Sequence, residues 1–212
     1  MADNNICAGL EIIEIGLERP MYEMFLAQKR LQLRLNAINT DFSINAHLTA
    51  KKCIYWYFCA SAELKELQDW LTPTNLSDFE SSVKEMKMEA IDVLHFIFNI
   101  ALELSFTEDH IEQLLKDVPE TNHAFDITEI KQSCNKLLDV LTELIELLPW
   151  KTWKSYPNIA TSELPIVIEQ DMQKALWYNF KLCYSLGMTK QDIINYYFAK
   201  NKENHRRQDD GY

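Results

Sequence analysis

Glu63-Leu-Lys-Glu66-Leu-Gln-Asp-Trp70 and, beyond a break at Pro73, Glu89-Ala-Ile-Asp92-Val-Leu-His95-Phe-Ile-Phe-Asn99 are the stretches that decide the fold. Apolar residues recur in both at steps of three and four, the period of a helix with one buried face. Glu63 and Glu66 stand three apart and so share a helical face, and Glu89 and Asp92 repeat that spacing. Twenty-two residues lie between Glu66 and Glu89, enough to finish one helix, turn at Pro73 and return antiparallel. The expected unit is a helical hairpin with carboxylates facing one another. Four such carboxylates make an oxygen-only set suited to Mg²⁺ or Mn²⁺. Asp92 is the informative member. Ile91, Val93, Leu94, Phe96, Ile97 and Phe98 surround it, so its charge faces inward and needs a partner. Glu63 and Glu66 on their own would read as an ordinary solvated helix face.

Working outward, helical periodicity covers almost the whole chain. Met21 to Ile38 reads as a first helix, with Phe25, Leu26, Leu31, Leu35 and Ile38 as its apolar stripe. The hairpin helices run from about Ala46 to Leu71, and from a cap at Ser77 or Ser82 to Ser105. Thr107 opens a short helix that ends before Pro119, and Asp126 with Glu129 caps one that stops at Pro149. Ser162 and Pro165 start a helix closed by Gly187, and Thr189 caps a final one to about Glu203. Only four Gly and six Pro punctuate 212 residues, too few for a many-turned β-sandwich or for a Gly-rich parallel α/β fold. The expected fold class is all-α: a duplicated helical hairpin forming a four-helix core, with additional helices.

The duplication shows at an offset of eighty residues. Glu63-Leu64-x-Glu66-Leu67 meets Glu143-Leu144-x-Glu146-Leu147, Trp70 falls on Trp150, Glu89 on Glu169 and Asn99 on Asn179. One domain spans residues 1–212, with repeat unit one at about 46–118 and unit two at about 126–204. The second unit has Met172 where the first has Asp92. A carboxylate set without the residue in the apolar setting is a degraded one, so the first unit is expected to hold the site. His95 follows Asp92 by three, as in di-iron bundles built on two Glu-x-x-His motifs. The second unit places Met172 and Ala175 at the matching positions, which leaves His95 as a core histidine beside the site.

The formal charge is −11, from 32 acidic and 21 basic residues. Binding of nucleic acid rests on a basic footprint, so direct nucleic-acid binding is not expected. Five cysteines without a Cys-x-x-Cys pair read as reduced core thiols. Asp92, His95, Asn99 and Glu103 interrupt the most apolar run, and Met1 to Asn5 lacks the pattern of a signal peptide. The expected setting is the cytoplasm, with no membrane partner. An acidic all-α interaction protein without catalysis also fits the composition, although it has no reason to bury Asp92.

The Glu-x-x-Glu and Glu-x-x-Asp pair resembles the two metal-binding stretches of the all-α nucleoside triphosphate pyrophosphatases, which include MazG-like proteins, dimeric dUTPases and the dCTP pyrophosphatases of T-even phages. The tail Tyr197-x-x-Lys200-Asn201-x-x-Asn204-x-x-Arg207-Gln208-x-x-Gly211-Tyr212 is similar to the substrate-closing segment of the dimeric dUTPases and phage dCTPases. Gln28-x-x-Leu31-Gln32 resembles their base-reading helix, and Gln32 in place of the usual Asn favours the phage branch. The stretch Trp150-Lys151-Thr152-Trp153-Lys154 departs from the family order, since it follows the second Glu pair rather than the first.

The resemblance implies Mg²⁺-dependent hydrolysis of dCTP or dUTP, or both, to the monophosphate and pyrophosphate, by a homodimer. It implies metal ligation by Glu63, Glu66, Glu89 and Asp92, with Glu66 as the base that activates water. It further implies base contacts from Gln28 and Gln32, phosphate contacts from Lys200 and Arg207, and substrate contacts from Asn204 and Tyr212. A Gln28 amide that turns over would suit a site taking both pyrimidines, whose hydrogen-bond patterns are opposite at position four.

Overall fold

The computed structural model describes residues 18–35, 46–72, 78–116, 118, 124–151 and 164–211. Among these residues it is all-helical: α1 (Pro20–Arg34), α2 (Ala46–Trp70), α3 (Phe79–Glu103), α4 (Glu108–Lys116), α5 (Ile127–Leu147), α6 (Leu164–Ser185) and α7 (Lys190–Asp209). Helices α2 and α3 form one hairpin, and α5 and α6 form a second. α2 lies on α5 and α3 on α6, which closes a four-helix core. Helices α1, α4 and α7 pack beside it, with α1 touching α3, α4 and α7. One buried apolar cluster draws on all seven helices, from Met24 and Phe25 through Leu67, Ile91 and Leu141 to Leu176 and Tyr197.

The helix ends follow local chemistry. Pro20 occupies the first turn of α1, where its missing N–H costs nothing. Thr189 and Asp192 form a reciprocal capping box on α7. Gly187, at φ 76°, closes α6 in the left-handed region. Thr107 accepts from the His110 N–H at the start of α4. Two boundaries and one capping partner differ from the sequence expectation. Asp78, not Ser82, caps α3 by accepting from Ser81 N–H, while Ser77 lies outside the described residues, as do Ser162 and Ile38. Asp126 caps α5 through Thr128 and Glu129 N–H, but the Glu129 side chain pairs with Lys181 at 2.7 Å. Helix α7 continues six residues past Glu203, to Asp209.

Helix α1 holds the main surprise. Its buried residues are Met21, Met24, Phe25, Gln28, Leu31 and Gln32, a regular i, i+3, i+4, i+7 stripe that includes two amides. Leu35, assigned to that stripe by sequence, is exposed. No described helix is long and apolar enough to cross a membrane.

Candidate functional site

The antiparallel register of α2 and α3 brings Glu63 opposite Glu89 and Asp92. One carboxylate oxygen from each lies within 4.8 Å of the others, and all three residues are half-buried. Three negative charges that close repel, and burial removes the water that would screen them. The Glu89 carboxyl is pushed up to about 8, first by burial, then by a hydrogen bond shared with Glu63 and by the charges of Glu63, Asp92 and Glu66. Glu63 is also raised, chiefly by burial. Glu66, one turn along α2, is exposed and acts on both through its charge, but it is not one of the three that converge.

Helix α7 supplies a cation. Lys200 Nζ donates to Asp92 Oδ2 at 2.6 Å, with both side chains mostly buried. The lysine that the tail motif singles out therefore stands on the carboxylate that the apolar context singles out. The other tail residues follow α7 outward. Asn204 is half-buried, Arg207 Nε donates to Glu203 at 3.2 Å, and Arg34 of α1 bonds Asp209. Tyr212 lies outside the described residues.

Behind the carboxylates runs a buried polar chain. His95 donates from Nδ1 to the Ile91 carbonyl at 2.9 Å and stacks on Tyr197 with ring centroids 4.2 Å apart. Burial pushes the imidazole down to about 4, so it is neutral near pH 7. Tyr197 donates its hydroxyl proton to Gln28 Oε1 at 3.2 Å, and Gln28 Nε2 donates to Asn99 Oδ1 at 2.7 Å. Gln32 is buried one turn further along α1. The sequence reading gives Asn99 no site role and includes Tyr197 only as the first residue of the tail motif. The signal for Asn99 was present, however: like Asp92 it is a polar residue inside an apolar run.

The second hairpin is different. Glu143, Glu146 and Glu169 are exposed, Met172 is fully buried, and among the described residues no carboxylate trio gathers there. Lys151 bonds Glu146 and lies 4.4 Å from the Trp150 ring centre, and Lys154 falls outside the described residues. Asn179, the counterpart of Asn99, donates to the Ala90 carbonyl of α3 at 3.0 Å and so ties the hairpins together.

The donor set fits a hard divalent cation. It consists of oxygens only, from facing helices, and its charges are relieved in part by a proton on Glu89 and by the Lys200 ammonium. No curated protein and no solved structure gives a significant match to the chain. A family model described as dUTPase matches residues 21–212, and the chain accordingly belongs to the all-α dUTPase family.

Proposed function

We propose that this protein is a Mg²⁺-dependent pyrophosphohydrolase of pyrimidine deoxynucleoside triphosphates, releasing pyrophosphate from dCTP and dUTP, and that it works in the cytoplasm as a homodimer. Family membership supports nucleotide hydrolysis. The observation that carries the reading here is the convergence of Glu63, Glu89 and Asp92 beneath Lys200. An acidic protein holds a triphosphate only with cations between, and this is where the chain concentrates the groups that would place them.

Glu63, Glu89 and Asp92 hold the metal, with Glu66 at the rim; Mn²⁺ suits the same oxygens. When bound, the ion neutralises phosphate charge and stabilises the departing pyrophosphate. Glu66 accepts a proton from water as the water oxygen bonds to the α-phosphorus. The bond from that phosphorus to the bridging oxygen breaks, and the electron pair leaves with pyrophosphate. Lys200 exchanges Asp92 for a phosphate oxygen, and Arg207, released from Glu203, binds two. Asn204 and Tyr212 contact the substrate, and α7 covers it, excluding water. Gln28 and Gln32 contact the pyrimidine.

The test is pyrophosphate release from the four dNTPs with Mg²⁺, wild type beside Glu89→Ala. The expected result is release confined to dCTP and dUTP and lost in the variant. Activity surviving Glu89→Ala would move the site away from α2 and α3. Release from no nucleotide would favour the acidic interaction protein.

A further inference from the structure

We propose that Lys200 is a tethered competitor for the divalent cation: in the nucleotide-free protein its ammonium weakens binding of the ion at Asp92, and a triphosphate that draws the lysine away restores it. This rests on the reading of Glu63, Glu89 and Asp92 as metal ligands. Lys200 Nζ donates to Asp92 Oδ2 at 2.6 Å, and the two side chains are 15% and 16% exposed. The same aspartate offers an oxygen to the cluster, within 4.8 Å of one from Glu63 and one from Glu89. The charge of the ammonium also reaches Glu63. A fixed positive charge this near repels a divalent ion, and the low exposure leaves little water to screen the repulsion.

Helix α7 holds the lysine in place by contacts that do not involve the carboxylates. Tyr197, one turn earlier, is fully buried, bonds Gln28 at 3.2 Å and stacks on His95 at 4.2 Å. Further along, Arg34 of α1 bonds Asp209. The backbone at Lys200 therefore stays put when its ion pair breaks, and only the flexible side chain swings. A cation tethered so closely acts at a high effective concentration, and so competes with a free ion where a dissolved ammonium would not. A triphosphate removes it by offering phosphate oxygens, to which an ammonium makes charge-assisted hydrogen bonds. Lys200 then changes from competitor to partner, since it leaves Asp92 to the ion and adds its own charge to the substrate side. Ion and triphosphate thus strengthen each other's binding by the same factor. The ion is held tightly with the triphosphate rather than ahead of it.

The experiment measures Mn²⁺ binding to metal-free protein near neutral pH, read from the electron paramagnetic resonance of the unbound ion. It compares wild type, Lys200→Gln, Lys200→Arg and Lys202→Met, each with and without α,β-imido-dUTP, and corrects for the ion that this hydrolysis-resistant analogue binds alone. Lys200→Gln keeps a donor for Asp92 but no charge. Without nucleotide it should bind Mn²⁺ more tightly than wild type by about tenfold or more. Lys200→Arg keeps the charge and should stay with wild type. Lys202→Met removes the same charge from an exposed position on α7 and should also stay with wild type. Adding the analogue should tighten Mn²⁺ binding in wild type by a larger factor than in Lys200→Gln. Equal nucleotide-free affinities in wild type and Lys200→Gln, or an equal gain in Lys202→Met, overturn the competitor and leave the hydrolase standing. Absence of Mn²⁺ binding in every protein, with the analogue or without, overturns the metal reading and the competitor with it. Should Lys200→Gln not fold, Lys200→Met, neutral and of similar length, carries the same expectation. The rise in wild-type affinity on adding the analogue is required in any case, and an unchanged affinity overturns the proposal.

Discussion

At the residue scale, Glu89 shows how three carboxylates coexist between two helices. Its carboxyl keeps a proton up to about pH 8, against an ordinary value of 4.5, because burial and the neighbouring charges penalise ionisation. Between those two values the folded protein holds a proton that the unfolded chain has released. The sign follows: stability of the metal-free protein is greatest below the unfolded value and falls as pH rises through the folded one. Glu89→Gln keeps the shape and carries no charge. In chelator at about pH 8 it should melt above wild type, and its melting temperature should lose most of the decline seen in wild type from about pH 5 to about pH 9. Melting curves across that range are the measurement, and a wild type whose metal-free curve is flat would contradict the electrostatic account. Lys200 relieves the cluster from the other side by holding Asp92 at 2.6 Å.

At the scale of the element, what was legible depended on whether the deciding partner is near in sequence. Helix α5 is a local matter: Asp126 accepts from Thr128 N–H at 2.8 Å and from Glu129 N–H at 3.2 Å, and the expected cap is found. Asp126→Ala should cost about 1 kcal/mol, which lowers the melting temperature by about 2–4 °C in a chain of this size. Asp126→Asn should recover most of it, and equal losses from both would show that the cap is not the cause. Helix α1 is not a local matter. A pattern reading sends glutamine to solvent and leucine to the core, and so puts Leu35 in the stripe and leaves Gln28 out. The structure buries Gln28 because its partners, Asn99 and Tyr197, stand 71 and 169 residues away in sequence. Nothing within the period of α1 carries that information, and only the family's base-reading pattern had drawn attention to Gln28 and Gln32.

At the scale of the whole molecule, the two hairpins make four helices of one core, and among the described residues only the first gathers carboxylates. That cluster was readable in sequence because Asp92 breaks an apolar run, whereas the second hairpin has the buried Met172 at the matching position. The place of Glu66 was not readable. A spacing of three puts it on the same face as Glu63, but the packing of α3 decides which residue of the pair converges, and Glu66 stays exposed at the rim. With a net charge of −11, the concentration of negative potential at α2 and α3 is a cost to folding that a bound cation would remove. A ligand that binds only the native state at one hundred times its Kd stabilises by about 2.7 kcal/mol. For a chain of about this length that raises the melting temperature by about 5–10 °C. Mg²⁺ should produce such a shift in wild type, NaCl of equal ionic strength should not, and Asp92→Asn should lose most of it. Glu169→Gln, on the exposed face of the second hairpin, should keep the full shift. Equal Mg²⁺ responses in the two variants would mean that the ion acts on the overall charge rather than at the convergence of Glu63, Glu89 and Asp92.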